Sequence, residues 1–237
     1  MNPLTHFKKI PILALLIAVA LVARSADAYL PAISDFNGDG HPDYVLENGN
    51  TNQTAIWYLN NNVFVSDVHG PTLPPGWGLR GVADFNSDGH PDYLLYNSST
   101  RQTAIWYLSN NVYVSGGYGP TLPSTNWFVV GVADFNRDGH PDYLLENGTR
   151  QTAIWYLSGR MLVGSAYGPS VRSGWDWVGV GDFNGDGYPD YVLENFSTRQ
   201  TAIWYLNNNV YVSGGYGPIL PCAWDYCDPW GYSPCCP

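Results

Sequence analysis

Lysine is nearly absent from this sequence of 237 residues: the two lysines, Lys8 and Lys9, both lie close to the N-terminus. Acidic residues outnumber basic ones by 20 to 10, which gives a formal net charge of −10. A surface of this sign repels a phosphate backbone, so the composition argues against a nucleic-acid partner. No stretch shows the periodicity of an amphipathic helix, and the one long apolar run lies near the N-terminus.

That apolar run has the features of a secretion signal. Lys8 and Lys9 precede the apolar stretch Ile10–Ala23, and Ala26-Asp27-Ala28 supplies small residues at a cleavage site. We expect residues 1–28 to be a signal peptide and the mature protein to be secreted, without insertion into the membrane. An uncleaved N-terminal anchor is the alternative.

The four cysteines are confined to the end of the chain. In an exported protein, an even and clustered set of this kind predicts local disulfide bonds in a Cys-rich tail, residues 222–237. Zinc is a weaker interpretation, because no histidine accompanies the cysteines. Three pairings remain open among Cys222, Cys227, Cys235 and Cys236.

The rest of the chain consists of four repeats of about 49 residues. The heptapeptide Gln-Thr-Ala-Ile-Trp-Tyr-Leu occurs four times unchanged, and each copy is followed by a Gly-Pro pair. A period of this length is typical of solenoids, propellers and arrays. We place the repeats at about 29–76, 77–126, 127–174 and 175–221. The heptapeptide tryptophans are Trp57, Trp106, Trp155 and Trp204.

Each repeat contains four short β-strand patterns. In the third they are Trp127–Phe135, Pro141–Glu146, Thr152–Leu157 and Met161–Val163, with Asn and Gly between them. Both faces of the heptapeptide strand are largely apolar, so both faces need cover. We therefore predict an all-β fold, a β-propeller of four four-stranded antiparallel blades with the heptapeptide tryptophan in the core. A linear β-solenoid is the alternative.

The tail bears on how the ring closes. Three repeats carry a Trp seven residues before their first loop aspartate, whereas the first repeat has Ala28 at that position. The segment 217–224 aligns without a gap on 70–77 and ends in Trp224. We expect the tail to dock beside blade one, so that a monomer closes its own ring. A decayed fifth repeat, or two open chains that pair into an eight-bladed ring, are the alternatives.

An acidic loop recurs between the first two strands of every repeat. Oxygen-bearing side chains occupy positions 1, 3, 5 and 9, glycine at position 6 permits a sharp turn, and the carbonyl of residue 7 can point inward. This spacing is that of the first half of an EF-hand loop and predicts one Ca²⁺ per repeat, up to four in all. An ion-free turn is the alternative. The predicted ligand positions are Asp35, Asn37, Asp39, His41 and Asp43; Asp84, Asn86, Asp88, His90 and Asp92; Asp134, Asn136, Asp138, His140 and Asp142; and Asp182, Asn184, Asp186, Tyr188 and Asp190.

The loop sequence Asp-Phe-Asn-Gly-Asp-Gly-x-Pro-Asp, flanked by strands, resembles the FG-GAP/VCBS repeat of integrin α-chain propellers. It is also similar to blades of certain secreted lectins. The resemblance extends to about Pro221 and implies Ca²⁺ ligation by the loop residues. Two features depart from it: the chain has four copies instead of seven or eight, and the Cys-rich tail is not part of the repeat.

No enzyme is expected. The sequence shows no Ser/His/Asp set, and every clustered acid belongs to an acidic loop.

Near-identical blades favour a multivalent binding module, for which carbohydrate is the first candidate ligand. A protein-adhesion module of the integrin type or a structural extracellular protein are the alternatives, and the four glycosylation sequons at Asn52, Asn97, Asn147 and Asn195 are informative only in a host that glycosylates. The candidate ligand-binding aromatics, which could instead pack between blades, are Trp77, Trp127, Trp175 and Trp224, with Tyr118, Tyr167 and Tyr216.

Overall fold

The computed structural model describes residues 32–220, which form sixteen β-strands and no helix. Within this range no helix exists that could cross a membrane. The predicted signal peptide, the Cys-rich tail and Trp224 lie outside the described residues.

Consecutive strands form four separate sheets of four antiparallel strands, so the predicted four-bladed propeller is confirmed. Blade one contains β1 (Ala32–Ser34), β2 (Asp43–Glu47), β3 (Gln53–Asn60) and β4 (Val63–Thr72). Blade two contains β5 (Trp77–Ala83), β6 (Asp92–Asn97), β7 (Gln102–Ser109) and β8 (Val112–Thr121). Blade three contains β9 (Trp127–Ala133), β10 (Asp142–Asn147), β11 (Gln151–Ser158) and β12 (Met161–Ser170). Blade four contains β13 (Trp175–Gly181), β14 (Asp190–Asn195), β15 (Gln200–Asn207) and β16 (Val210–Ile219).

The fourth strand of each blade is longer than predicted. The sequence indicated Met161–Val163, whereas β12 continues through two glycines and a proline to Ser170. Its register with β11 shifts twice, between Gln151 and Ala153 and between Tyr156 and Leu157. These irregularities let the strand keep its pairing across residues that usually interrupt strands.

Blades join through two different faces. We call the face that a blade turns toward the next blade its forward face and the opposite one its rear face. Three hydrophobic cores join blades one to two, two to three and three to four. Forward faces contribute Phe36, Val45, Ile56 and Leu73; Phe85, Leu94, Ile105 and Leu122; and Phe135, Leu144, Ile154 and Val171. Rear faces contribute Leu79, Tyr93, Leu95, Ala104 and Leu108; Val129, Tyr143, Leu145, Ala153 and Leu157; and Trp177, Tyr191, Leu193, Ala202 and Leu206.

The invariant Gln-Thr and Gly-Pro pairs hold the third strand to the fourth. In blade three, the Thr152 hydroxyl donates a 2.8 Å hydrogen bond to the Pro169 carbonyl, and the Gln151 amide donates one of 2.6 Å to the Gly168 carbonyl. A Cβ on Gly168 would lie 2.4 Å from the Thr152 hydroxyl oxygen. The Gln-Thr pair therefore recurs because it supplies these hydrogen bonds. The glycine recurs because the two strands approach too closely here for any side chain.

The prediction that the heptapeptide tryptophan lies in the core holds only in part, since Trp106, Trp155 and Trp204 pack against the edges of the cores between blades. Trp57 is 42% exposed, and its counterparts are only half-buried. Three of them contact an aromatic ring of the outer strand; the Trp57 ring meets the edge of Phe64 at 5.4 Å between centroids. Strand alternation identifies the face on which a side chain lies, but not how far the neighbouring blade extends over it.

Candidate calcium loops and aromatic pairs

The first residue of each acidic loop binds the loop's own backbone. Asp35 Oδ1 accepts a 2.7 Å hydrogen bond from the Gly38 N–H, and Asp35 Oδ2 accepts one of 2.8 Å from the Gly40 N–H. Gly40 has a φ of 85°, a left-handed conformation that favours glycine. The aspartate at position 1 thus closes the turn that glycine at position 6 permits.

Positions 3 and 5 lie together at the exposed end of the loop. The Asn37 amide donates a 3.0 Å hydrogen bond to Asp39 Oδ2, and the His41 N–H donates one of 2.9 Å to Asp39 Oδ1. The other three loops repeat the pattern. Positions 1, 3 and 5 therefore share one small loop, while residue 7 contributes its backbone.

Position 9 has a different environment from the other predicted ligands. Its aspartate is fully buried in every blade. In blade three, Asp142 Oδ2 accepts a 3.0 Å hydrogen bond from the Phe135 N–H and Oδ1 one of 2.9 Å from the Leu157 N–H. Burial raises the pKa of Asp142 to about 7, against the effect of these two bonds, and that of Asp92 to about 6. This carboxyl ties the acidic loop to the third strand, a role that the sequence analysis did not identify.

Within residues 32–220 no three His, Cys, Asp or Glu side chains are grouped as a metal site. The donor chemistry of the loops nevertheless fits a hard cation, since each offers carboxylate, amide and backbone oxygens and no thiolate. Asp39 is exposed and Asp35 is half-buried, and both accept hydrogen bonds within their own loop. A carboxylate has about four lone-pair sites, so these side chains could keep their hydrogen bonds while they bind an ion.

The acidic loops of blades three and four come within contact distance. Arg137, at position 4 of the third loop, donates a 3.3 Å hydrogen bond to the Asp186 carbonyl of the fourth. Its guanidinium carbon lies 5.0 Å from the centre of the Tyr188 ring, within the range of a cation–π contact. The loops of blades three and four thus lie side by side.

The predicted ligand-binding tryptophans form pairs with exposed tyrosines of the outer strand. Ring centroids are 6.1 Å apart for Trp77 and Tyr118, at an interplanar angle of 21°. The equivalent pairs are separated by 6.3 Å in blade three and 5.9 Å in blade four. The tryptophans are half-buried, whereas the tyrosines are 70–77% exposed. Blade one differs, because its equivalent residues are Ala28 and His69. The remaining pairs are Trp127 with Tyr167 and Trp175 with Tyr216.

A shallow groove of about 160 Å³ lies at the pair in blade three. Its apolar wall combines the aromatic pair with rear-face residues of blade three and with Pro123, which lies between β8 and β9. A polar hydroxyl, that of Ser165, lies in the same lining. The groove therefore offers both a flat aromatic surface and a hydrogen-bonding group. The other lining residues are Pro123, Trp127, Leu145, Ala153, Trp155, Ala166 and Tyr167.

Comparison with known families gives the same assignment as the loop sequence. Residues 35–95 and 84–145 each match the FG-GAP-like repeat. The chain is an FG-GAP repeat protein. The comparison with curated proteins gives no match. The calcium ligands that the family resemblance implies remain a prediction.

This FG-GAP protein is similar to several solved structures at low sequence identity. The Photorhabdus luminescens Tc holotoxin pore is 15% identical, with a TM-score of 0.48 over 81% of this chain and 9% of that one. Myxococcus xanthus glutaminyl cyclase is 13% identical, with a TM-score of 0.43 over 78% and 73%. Chaetomium thermophilum Raptor is 14% identical, with a TM-score of 0.43 over 78% and 16%. The FG-GAP chain spans only a small part of the holotoxin and Raptor chains.

Proposed function

We propose that this FG-GAP repeat protein is a secreted, non-catalytic module that binds carbohydrate at its Trp–Tyr pairs. Membership of the family indicates a binding or adhesion type of module. The observation that carries the finer assignment is the recurrence in three blades of one aromatic pair whose tyrosine is exposed.

Sugar rings present apolar C–H faces and hydroxyl edges. A flat aromatic surface covers such a face, while nearby polar groups bind the hydroxyls. In blade three, Tyr167 supplies the exposed ring and Ser165 a hydroxyl in the same groove. Three similar sites on one molecule would bind a repetitive glycan with avidity, although each site alone is weak.

The tyrosines of the pairs are expected to carry the affinity. Replacing Tyr118, Tyr167 and Tyr216 together with alanine should abolish signals on a glycan array. A single Tyr167→Ala change should weaken binding at that site about 5-fold, since one aromatic contact contributes about 1 kcal/mol. Isothermal titration with a hit from the array measures the second effect.

The matched control replaces Phe64, Tyr113 and Tyr211 with alanine. These aromatics also lie on outer strands and are 45–51% exposed, but they pack against the heptapeptide tryptophans. The control should keep its glycan signals. Equal loss of binding in both triple variants, or an array without any signal for the native protein, contradicts the carbohydrate proposal.

We further infer that each acidic loop binds one Ca²⁺ and that the ions stabilise the blades. The aspartates at positions 1 and 5 lie in one loop above a buried third, and a cation would offset their mutual repulsion. Addition of Ca²⁺ to protein treated with EGTA should raise the melting temperature by several degrees, because the ion binds the folded state alone. Superimposable melting curves would refute the inference.

Protein adhesion is the second candidate function, and the outer strands favour it. Each of β4, β8, β12 and β16 is the edge of its sheet, and exposed apolar side chains line it. Edge strands of this kind can pair with an extended segment of another protein. Binding of a partner that survives the triple tyrosine change would favour this candidate. The exposed apolar residues at the start of these strands include Val63, Val65, Val112, Val114, Met161, Val163, Val210 and Val212.

A further inference from the structure

The forward face of blade four differs from the other three in its burial. Phe135 and Ile154, on the forward face of blade three, are fully buried against blade four. The equivalent residues of blade four, Phe183 and Ile203, are only half-buried among the described residues. The small cluster on this face combines Val192, Leu220, Val178 and Phe183, all of which belong to blade four or follow its last strand.

The rear face of blade one shows the complementary difference. Tyr93, Tyr143 and Tyr191 are fully buried against the preceding blade. Their equivalent in blade one, Tyr44, is half-buried, as is Leu46. Within residues 32–220, no core joins this face to a forward face.

These two surfaces have the composition of an interface that the chain already forms three times. The forward face of blade four presents Phe, Val, Ile and Leu, and the rear face of blade one presents Tyr, Leu, Ala and Leu, as in the three cores. A forward face fits a rear face because bulky and small side chains already interlock there with close packing. Another copy of this chain presents both faces, so each of the two surfaces can pack on the complementary surface of a second copy.

We propose that two copies pair, with blade four of each packed on blade one of the other. The contact joins two different faces, and a twofold axis makes it twice, so that the assembly closes with every face covered. Two copies supply eight blades, which is within the range of known propellers. Sequence alone favoured closure within one chain by residues 222–237, which lie outside the described residues.

Light scattering on the mature protein tests the pairing. The native protein is expected at twice the mass of one chain down to micromolar concentration. Ile203→Lys places a charge on the forward face of blade four and should give a monomer. The matched control is Val212→Lys in the same blade, at a residue that is 63% exposed on the outer strand, and it should remain a dimer.

Each outcome decides the proposal. A native monomer at all concentrations overturns it, and so does an Ile203→Lys variant that stays dimeric. If that variant does not fold, as judged by circular dichroism, Tyr44→Lys on the opposite surface provides the same test. A native monomer that associates only after deletion of residues 222–237 would show that the tail covers these faces instead. None of these readouts depends on glycan or Ca²⁺.

Discussion

Gly168→Ala is expected to lower the free energy of unfolding by about 3 kcal/mol, at the upper end of the cost of overpacking. The new methyl group would lie 2.4 Å from the Thr152 hydroxyl oxygen and 3.1 Å from the Tyr191 hydroxyl. The third and fourth strands would have to separate, which also weakens the bond from Thr152 to the Pro169 carbonyl. Chemical denaturation followed by tryptophan fluorescence measures the change.

The control for this prediction lies on the same strand. A Cβ on Gly164 would meet the nearest atom, of Tyr156, at an ordinary 3.5 Å. Gly164→Ala should therefore leave the free energy of unfolding within about 0.5 kcal/mol of the native value, as at other tolerant sites. If both substitutions had the same effect, the close approach at Gly168 would not be the reason for the invariant glycine.

Asp92→Ala is expected to destabilise the protein by about 3 kcal/mol even without Ca²⁺. The buried Asp92 carboxyl accepts hydrogen bonds from the Phe85 and Leu108 N–H groups, of 3.0 and 2.9 Å. Removing it leaves two buried backbone donors unpaired, and each costs about 1–3 kcal/mol. Denaturation in EGTA isolates this effect from any contribution of a bound ion.

Asp88→Ala is the matched control, because it removes the same group from the exposed end of the same loop. In EGTA it should change stability little. In Ca²⁺ it should reduce the bound metal by about one ion of four, as measured by elemental analysis. Equal destabilisation by the two substitutions in EGTA would contradict the structural role of position 9.

The repeat predicts the blades because its signals are local and occur four times. Asn and Gly pairs mark the turns, and apolar residues on both faces of the heptapeptide require a sheet on either side. β10 (Asp142–Asn147) and β11 (Gln151–Ser158) accordingly lie within one residue of the predicted strands at all four of their ends. The sequence of one repeat was therefore enough to predict the number of strands per blade.

Other features depend on contacts between distant residues. The fourth strand was predicted too short because Gly164 and Pro169 usually interrupt strands, and only the Gln151 and Thr152 hydrogen bonds show why β12 tolerates them. The burial of Asp142 follows from its position under the loop, where it reaches the Leu157 N–H of another strand. The sequence pattern is the same whether the aspartate at position 9 binds a metal or accepts hydrogen bonds from the backbone.

Every junction between blades uses the same two faces, and this has a consequence for how such chains change in evolution. A duplication or deletion of one whole unit leaves a forward face at one end and a rear face at the other, as before. The event creates no new kind of surface and disturbs no core except at the join. The faces of the blades therefore do not limit the copy number of the unit, and closure of the ring is what limits it. A residue can then diverge in one copy while the others keep their function. The position of the tyrosine in the aromatic pair is an example, because it is Tyr118 in blade two and His69 in blade one.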